Sequence, residues 1–371
     1  MKKVLKRVLI MAGGTGGHVF PGLALATYLR DKGIEVHWLG TQAGLESRLV
    51  ADARFPLHII QVRGVRGKGM KSLLMAPAMI FTAIFQARRL IKEINPDVIV
   101  GMGGFVSGPG GIASSFLRYP LVIHEQNAKP GLTNKILQYF AKKTLEGFPQ
   151  AFKTRSTFKI QPNVVTVGNP VRVEIENIPA PGVRIRENQN ENRKTFRLLI
   201  LGGSLGAHVL NDMVPRALLK LVPERRPEVM HQTGEKHFEA TKKIYESMNI
   251  QGNLTPFIQD IAKAYLWADL VLCRAGALTV TELCAAGLGA IFVPYPFASD
   301  DHQTANANFM VSRGAAICIQ QHELTESRLA DIVAEFSESP QKRLEMAQAA
   351  YQLRCTGVVE KIFHICEEVC N

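Results

Sequence analysis

The chain contains no GxxxxGK[ST] stretch, no Asp-x-Asp and no HExxH or CxxC spacing. The first absence removes the P-loop kinases and ATPases, which need that lysine and that loop on the phosphates. The second removes the usual way of holding a metal on a nucleotide sugar, so no resident metal and no cofactor are expected. The third leaves the six cysteines, all beyond residue 272, without a zinc site, and they read as reduced thiols of a cytosolic protein. Long apolar runs are also lacking. The longest window, residues 73–85, falls short of the roughly 18 residues that cross a bilayer and contains Pro77. The Met1-Lys2-Lys3 start leads into glycines and not into a small-residue cleavage site, so a buried first strand is expected instead of a signal peptide. Acidic residues are in deficit, 32 against 44 basic for a net charge of +12. That balance favours an anionic partner: nucleic acid, an acidic membrane surface or a phosphorylated substrate.

What is abundant is glycine at the ends of apolar strands. Residues 7–12 run into Gly13-Gly14-Thr15-Gly16-Gly17-His18, and residues 197–201 run into Gly202-Gly203-Ser204-Leu205-Gly206-Ala207. Each turn opens a helix-like stretch, so unpaired amides there point at whatever anion sits beyond the strand. At 371 residues with 46% apolar content the chain supports two cores. Helix is predicted over 21–32. Strands are predicted at 36–39, 57–62, 97–100 and 121–124 and, after a polar segment at 173–195 that reads as an exposed connection, at 198–201, 229–231, 270–273, 290–293 and 316–319. Continuous rather than alternating apolar strands indicate parallel sheets covered on both faces. The expected fold is α/β, two doubly wound Rossmann-like domains facing a central cleft, with a sugar diphosphate gripped between the lobes.

The candidate chemistry lies at those strand ends. The first loop does not match GxGxxG, and the second strand ends at Gly40-Thr41 with no acid for a nicotinamide ribose, which argues against NAD. His18 follows the loop as a candidate general base or as a histidine satisfied by helix-terminal backbone. A third glycine cluster, residues 101–111, reads as a second anion cradle or a flexible loop, and His124-Glu125-Gln126-Asn127 as a polar cleft edge. Thr279-x-x-Glu282 fits a capping box; alternatively Glu282 accepts two ribose hydroxyls at the start of a helix whose amides neutralise a diphosphate. Leaving-group charge would fall to helix dipoles and to cations such as Arg172. Gly202-Gly203-Ser204-Leu205-Gly206 also satisfies GxSxG, the nucleophile elbow of α/β-hydrolases, but Asp301-His302 make a poor pair of triad arms. Leu73, Leu74, Ile80, Phe81, Ile84 and Phe85, flanked by Lys68, Lys71, Arg88, Arg89 and Lys92, form one helical face that is either core or a basic-rimmed membrane patch. Pro77 would start the helix proper.

GGTGGHVFPGLALA from Gly13, GMGGFVSGPGG from Gly101, HEQN from His124, GNPVR from Gly168, GGSLGA from Gly202 and CRAGALTVTE from Cys273 occur in order along almost the whole chain. In these motifs the sequence resembles the MurG family of peptidoglycan N-acetylglucosaminyltransferases. The resemblance implies a GT-B fold and a metal-independent hexosyltransferase. It implies inverting transfer of GlcNAc from UDP-GlcNAc to the C4 hydroxyl of MurNAc in undecaprenyl-pyrophosphoryl-MurNAc-pentapeptide, the last cytoplasmic step of peptidoglycan precursor synthesis. Residues 1–170 would form the acceptor and membrane domain, with 352–371 packing back on it, and 171–351 the UDP-GlcNAc domain. The family pattern puts Ile258, Ala277, Leu278, Thr279, Val280, Thr281, Glu282 and Gln303 on the donor, together with Thr15, Gly16, Gly17, Asn127, Arg172 and Ser204. His18, Gly103 and Gly104 fall on the acceptor side, with His18 as the base. Leu205, Gly289 and Thr304 depart from the pattern, where glutamine, proline and a second glutamine are common. The implied partners are the two substrates, an anionic membrane surface at the cytoplasmic face of the inner membrane and other cell-wall and division proteins, with no nucleic acid. A related lipid glycosyltransferase, a UDP-GlcNAc epimerase and a non-catalytic cell-wall scaffold are the alternatives.

Overall fold

The structure is a computed structural model that describes residues 4–62, 69–152, 163–184, 195–203, 206–298 and 301–370, with backbone alone for 69–75. Lys68, Ser204, Leu205 and residues 186–193 lie outside the described residues, as do the side chains of Lys71, Leu73 and Leu74. The chain divides into two compact units, Met1–Pro170 with Gly357–Asn371, and Val171–Thr356.

The first unit holds a parallel sheet of β1 (Arg7–Ala12), β2 (Glu35–Gly40), β3 (Leu57–Ile59), β4 (Val98–Gly103), β5 (Leu121–Glu125), β6 (Lys143–Glu146) and β7 (Val164–Thr166), in the order β3-β2-β1-β4-β5-β6-β7. The second holds β8 (Arg197–Leu201), β9 (Glu228–Gln232), β10 (Asn253–Thr255), β11 (Leu270–Cys273), β12 (Gly289–Phe292) and β13 (Ala316–Cys318), in the order β10-β9-β8-β11-β12-β13. Each sheet reverses direction of growth at one point, between β1 and β4 and between β8 and β11. At such a point the helices leave on opposite faces and a crevice opens beyond the strand ends. The glycine loops after β1, β4 and β8 and the Arg274-Ala275-Gly276 turn after β11 all flank these two points. The inner strands are buried along nearly their full length, which is why they read as unbroken apolar runs.

Three strands escaped the sequence reading because they are edge or near-edge strands of only three or four residues. In β6 the buried Glu146 accepts the Thr166 hydroxyl at 2.6 Å and the Gln150 amide at 2.8 Å, so a carboxylate stands where the periodicity leads one to expect valine. The first helix begins at Gly16, ahead of Pro21, and ends at Asp31. The helix expected from Pro77 begins at Gly69 and runs to Ile94 with Pro77 inside it. Its core stripe is Ala76, Ala83, Ala87, Ile91 and Ile94, whose burial offsets the hydrogen bond that the proline removes. The expected exposed connection is corrected for residues 173–184. There Ile175 and Ile178 are buried, and the buried Arg184 donates to the carbonyls of Ala286 and Gly287, both at 2.7 Å. Within the first unit the Val358–Cys370 helix packs on the Gly16–Asp31 helix, the rings of Phe363 and Tyr28 lying 5.8 Å apart.

Two histidines are buried in neutral form, one in each unit. His124 loses its water and its pKa is pulled below the usual value, while His231, between Tyr245 and Asn211, is pulled down to about 3. The unfolded chain takes up a proton near pH 6.5 that these folded groups refuse, so stability is full above that pH and falls as the pH drops below it. At pH 5.5 the second unit is expected to have lost about 1.4 kcal/mol through His231, and the first unit to be weakened in the same direction through His124. Urea unfolding at pH 8.0 and 5.5 checks this, and a midpoint that rises on acidification would contradict it.

Candidate active site

In the first unit the switch point brings two glycine loops into contact. Gly104 has φ +84°, and a Cβ there would lie 2.1 Å from the Gly13 carbonyl oxygen. A Cβ on Gly103, at φ +101°, would lie 2.6 Å from Nδ1 of His18. The cluster is therefore a packed joint, which excludes the flexible-loop reading. The Gly103 amide is spent on the Ser107 hydroxyl at 3.1 Å. A buried carboxylate that the sequence reading missed shapes the first loop. Glu46 accepts from the Gly14 amide at 3.0 Å, the Thr41 amide at 2.8 Å and the Thr41 hydroxyl at 2.7 Å. The Gly14 donor is thus taken, while the amides of Gly16 and Gly17 remain for an anion. They open the helix behind Thr15, whose side chain does not cap it.

His18 sits in the first turn of that helix, half-buried. Its Nδ1 meets two oxygens, the Met102 carbonyl at 3.1 Å and Oε1 of Gln126 at 3.0 Å. Both can only accept, so Nδ1 carries the hydrogen and Nε2 keeps its lone pair. The Gln126 orientation is fixed in turn, its amide NH2 donating to the Met102 carbonyl at 2.9 Å and to Nδ1 of His124 at 3.0 Å. His124 Nε2 donates to the Gly168 carbonyl at 2.9 Å. The relay begins in the strand end read as a polar edge. That expectation is corrected, because His124, Glu125 and Gln126 are all buried and only Asn127 is partly open. Glu125 accepts from the Asn127 amide and side chain, the Gly131 amide and the Asn134 side chain, which leaves Asn127 held at the loop's surface. Buried, mutually satisfied polar groups of this kind lock side-chain geometry. Gln126→Leu is expected to lower kcat about 10- to 100-fold with the KM for the nucleotide-sugar donor that the motif resemblance implies unchanged, since a small misplacement of a reacting group costs that much. Steady-state kinetics with an unchanged kcat would remove Gln126 as the residue that orients His18.

In the second unit the Ala277–Ala286 helix starts behind Gly276 with no side-chain cap, so the Thr279-x-x-Glu282 capping box does not form: Thr279 already lies inside the helix. Val280 is buried with its amide on the Gly276 carbonyl, and the Thr281 hydroxyl is tied to the Ala277 carbonyl at 2.9 Å. The amides open to an anion are those of Ala277, Leu278 and Thr279. Glu282 presents one carboxylate oxygen to Arg172 at 2.9 Å and the other to the Tyr265 hydroxyl at 3.0 Å, and its side chain is 13% exposed. Ile258 donates its amide to the buried Gln232 side chain at 3.1 Å, a partner that nothing in the local sequence signalled. Gln303 accepts from the Tyr295 amide at 2.9 Å, and Thr304 accepts from Gln320 at 3.3 Å. The buried Asn306 side chain donates to the Ala275 carbonyl at 3.1 Å, fastening the Gln303 helix to the turn after β11. Among the described residues no three His, Cys, Asp or Glu side chains converge on a metal-sized site. A cavity of about 650 Å³ opens elsewhere, against Glu228–Met230 and Asn249–Asn253, away from the switch-point strand ends.

Residues 8–146 match the glycosyltransferase family 28 N-terminal domain, and residues 197–362 match its C-terminal domain. The chain belongs to glycosyltransferase family 28. Its similarity to other family 28 chains extends over nearly the full length. The UDP-N-acetylglucosamine--N-acetylmuramyl-(pentapeptide) pyrophosphoryl-undecaprenol N-acetylglucosamine transferase of Marinobacter nauticus is 47% identical over 366 residues, 99% of this chain and 98% of that one. The protein of the same name from Coxiella burnetii is 46% identical over 365 residues, 98% of this chain and 99% of its own. The crystal structure of Acinetobacter baumannii MurG superposes with a TM-score of 0.81 at 41% identity, covering 98% of this chain and 99% of that one. The fold is that of the GT-B glycosyltransferases, as the motif resemblance implied. A UDP-N-acetylglucosamine 2-epimerase from Listeria monocytogenes, at 14% identity and a TM-score of 0.66, shares the fold alone.

Proposed function

We infer that this chain is the hexosyltransferase that moves GlcNAc from UDP-GlcNAc onto the MurNAc of a pyrophosphoryl-undecaprenol-linked pentapeptide acceptor. The observation that carries this reading is the near-full-length likeness to transferases of that name, at 47% identity across both domains. Within it the C4 hydroxyl oxygen of MurNAc attacks the anomeric carbon of GlcNAc opposite the departing UDP. The C1–O bond to the β-phosphate breaks with its electron pair on UDP, and the configuration inverts. Nε2 of His18 takes the hydroxyl proton, a role favoured by the two acceptors that hold the ring hydrogen on Nδ1. The Ala277, Leu278 and Thr279 amides and their helix dipole take up charge on the diphosphate. Glu282 receives the ribose hydroxyls, the Ile258 backbone meets the uracil, and Gln303 meets the sugar. Thr15, Gly16, Gly17, Asn127, Arg172 and Ser204 complete the donor set. Incubation with UDP-GlcNAc and a short-chain lipid acceptor, followed by product mass, tests the reading. Release of free sugar, or no addition to the acceptor, would overturn it.

The same reading places the chain on the cytoplasmic face of the inner membrane. No helix among the described residues is long and apolar enough to cross a bilayer. On the Gly69–Ile94 helix Ala76, Ala83 and Ala87 face inward, while Phe81 is 64% and Phe85 53% exposed, their rings tilted at 58° with centroids 4.9 Å apart, with exposed Arg88 and Lys92 following. An apolar patch rimmed by cations suits a surface of anionic lipid. Replacing both phenylalanines by serine is expected to weaken co-sedimentation with phosphatidylglycerol vesicles by roughly 100-fold, from about 1.5 kcal/mol of lost burial per ring. Equal pelleting of the variant and the parent would exclude this face as the seat. Other cell-wall and division proteins as partners, and roles in cell shape and division, belong to this proposal.

A further inference from the structure

Three helices of the first unit, Gly69–Ile94, Ser107–Phe116 and Leu132–Leu137, enclose a cavity of about 220 Å³. Apart from Thr133 every side chain that lines it is apolar, and none is charged. Its walls include Ile80, Phe105, Ile112, Leu132 and Ile136, with Gly108 leaving space on one side. Leu132 is 71% exposed and Phe105 54% exposed, so the mouth sets large apolar groups in water. A soluble chain with no occupant for such a mouth gains nothing by keeping it open.

Phe105 connects this cavity to the reacting end. It is the next residue after Gly103-Gly104, the backbone that touches the His18 ring and the Gly13 carbonyl, and its ring lies 3.9 Å from where a Cβ on Gly14 would stand. A ligand with a sugar hydroxyl at His18 and a lipid beyond its pyrophosphate would thus carry the first part of that lipid past Phe105. We propose that this cavity takes the prenyl segment of the acceptor next to the pyrophosphate, and so selects a methyl-branched chain over a straight one. The proposal rests on the acceptor assignment above. The cavity is smaller than the ~300 Å³ at which sites begin to engulf whole ligands, so it holds a segment while the rest of the chain stays in the bilayer. A rigid, close-packed apolar wall discriminates branched from straight chains by shape.

Gly108→Leu fills the cavity with little backbone cost. A Cβ at Gly108 meets only the Thr133 methyl, at 3.6 Å, and the position is helical. The parent and this variant are compared in detergent on acceptors bearing a four-unit prenyl chain or an n-alkyl chain of equal carbon number, with melting curves confirming the fold. The parent is expected to favour the prenyl acceptor. Gly108→Leu should raise the KM for the prenyl acceptor about tenfold and erase the preference, while the KM for UDP-GlcNAc stays put. Ile136→Gln, at the rim, should act in the same direction. Calorimetric binding of a four-unit prenyl pyrophosphate, weakened about tenfold by Gly108→Leu, reads the cavity without any transfer step. Transfer by the parent with no chain preference, or with a KM and a prenyl pyrophosphate affinity that Gly108→Leu leaves alone, overturns the proposal. So does a variant that changes only vesicle binding, which would make the cavity part of the bilayer seat. A parent that binds prenyl pyrophosphate in this manner but transfers nothing sinks the assigned reaction and leaves the cavity standing.

Discussion

His18→Ala is expected to lower kcat by about 10²- to 10⁴-fold while the KM for UDP-GlcNAc stays within a factor of about two, the range spanned by positioned general bases. The reasoning starts from the two oxygens at Nδ1. An imidazole whose Nδ1 hydrogen is claimed by the Met102 carbonyl and the Gln126 side chain offers a lone pair at Nε2 without a tautomer change. Alanine leaves the glycine joint around it intact, because Gly103 only needs space on the His18 side and Gly104 is packed against the Gly13 backbone instead. Donor affinity is therefore the internal control. An unaltered kcat in a saturated transfer assay would exclude His18 as the base. A loss confined to the KM for UDP-GlcNAc would reassign it to donor binding.

Glu282→Ala is expected to weaken UDP binding by about 2–3 kcal/mol, roughly 30- to 150-fold, as the loss of hydrogen bonds to a charged group does. In the structure the carboxylate is oriented from both sides, by the Arg172 guanidinium and by the Tyr265 hydroxyl, so its remaining lone pairs are fixed in direction before any ligand arrives. That arrangement suits two vicinal hydroxyls, and it makes the ribose the sensitive probe. The parent should bind UDP much more tightly than 2′-deoxy-UDP, and the variant should bind the two alike. Removing the carboxylate also leaves the buried Tyr265 hydroxyl without this acceptor, so some stability is lost along with affinity. The ratio between the two nucleotides is unaffected by that loss. Calorimetry showing the same preference for the ribose 2′-hydroxyl in both proteins would refute the role of Glu282.

The site was legible in the sequence to the extent that its parts lie where strand ends meet glycine. His18, Gly103 and Gly104 were singled out from such positions, and the structure brings them into contact because β1 and β4 are neighbours at the switch point. Glu46, Gln126 and Gln232 were not legible as partners. Each acts through a hydrogen bond to a residue that nothing in its own stretch of sequence marks: Glu46 to Gly14, Gln126 to His18 and Gln232 to Ile258. Thr279-x-x-Glu282 misled for the opposite reason. Its local spacing fits a cap, but the helix starts two residues earlier at Ala277, and Glu282 is claimed by Arg172 and Tyr265. In the same helix the Val280 amide and the Thr281 hydroxyl are bonded to the Gly276 and Ala277 carbonyls, partners that lie one turn earlier.

By itself the sequence determined the two parallel sheets and the chemistry at their ends. Unbroken apolar strands must be covered on both faces, and glycine at a strand end leaves backbone amides free of side chains. The tertiary structure alone decided which nitrogen of His18 carries the hydrogen, which amides remain for an anion and which face of the Gly69–Ile94 helix is core. Those outcomes depend on groups distant in sequence that compete for the same hydrogen or the same buried volume, and such competition is resolved only when the chain is packed.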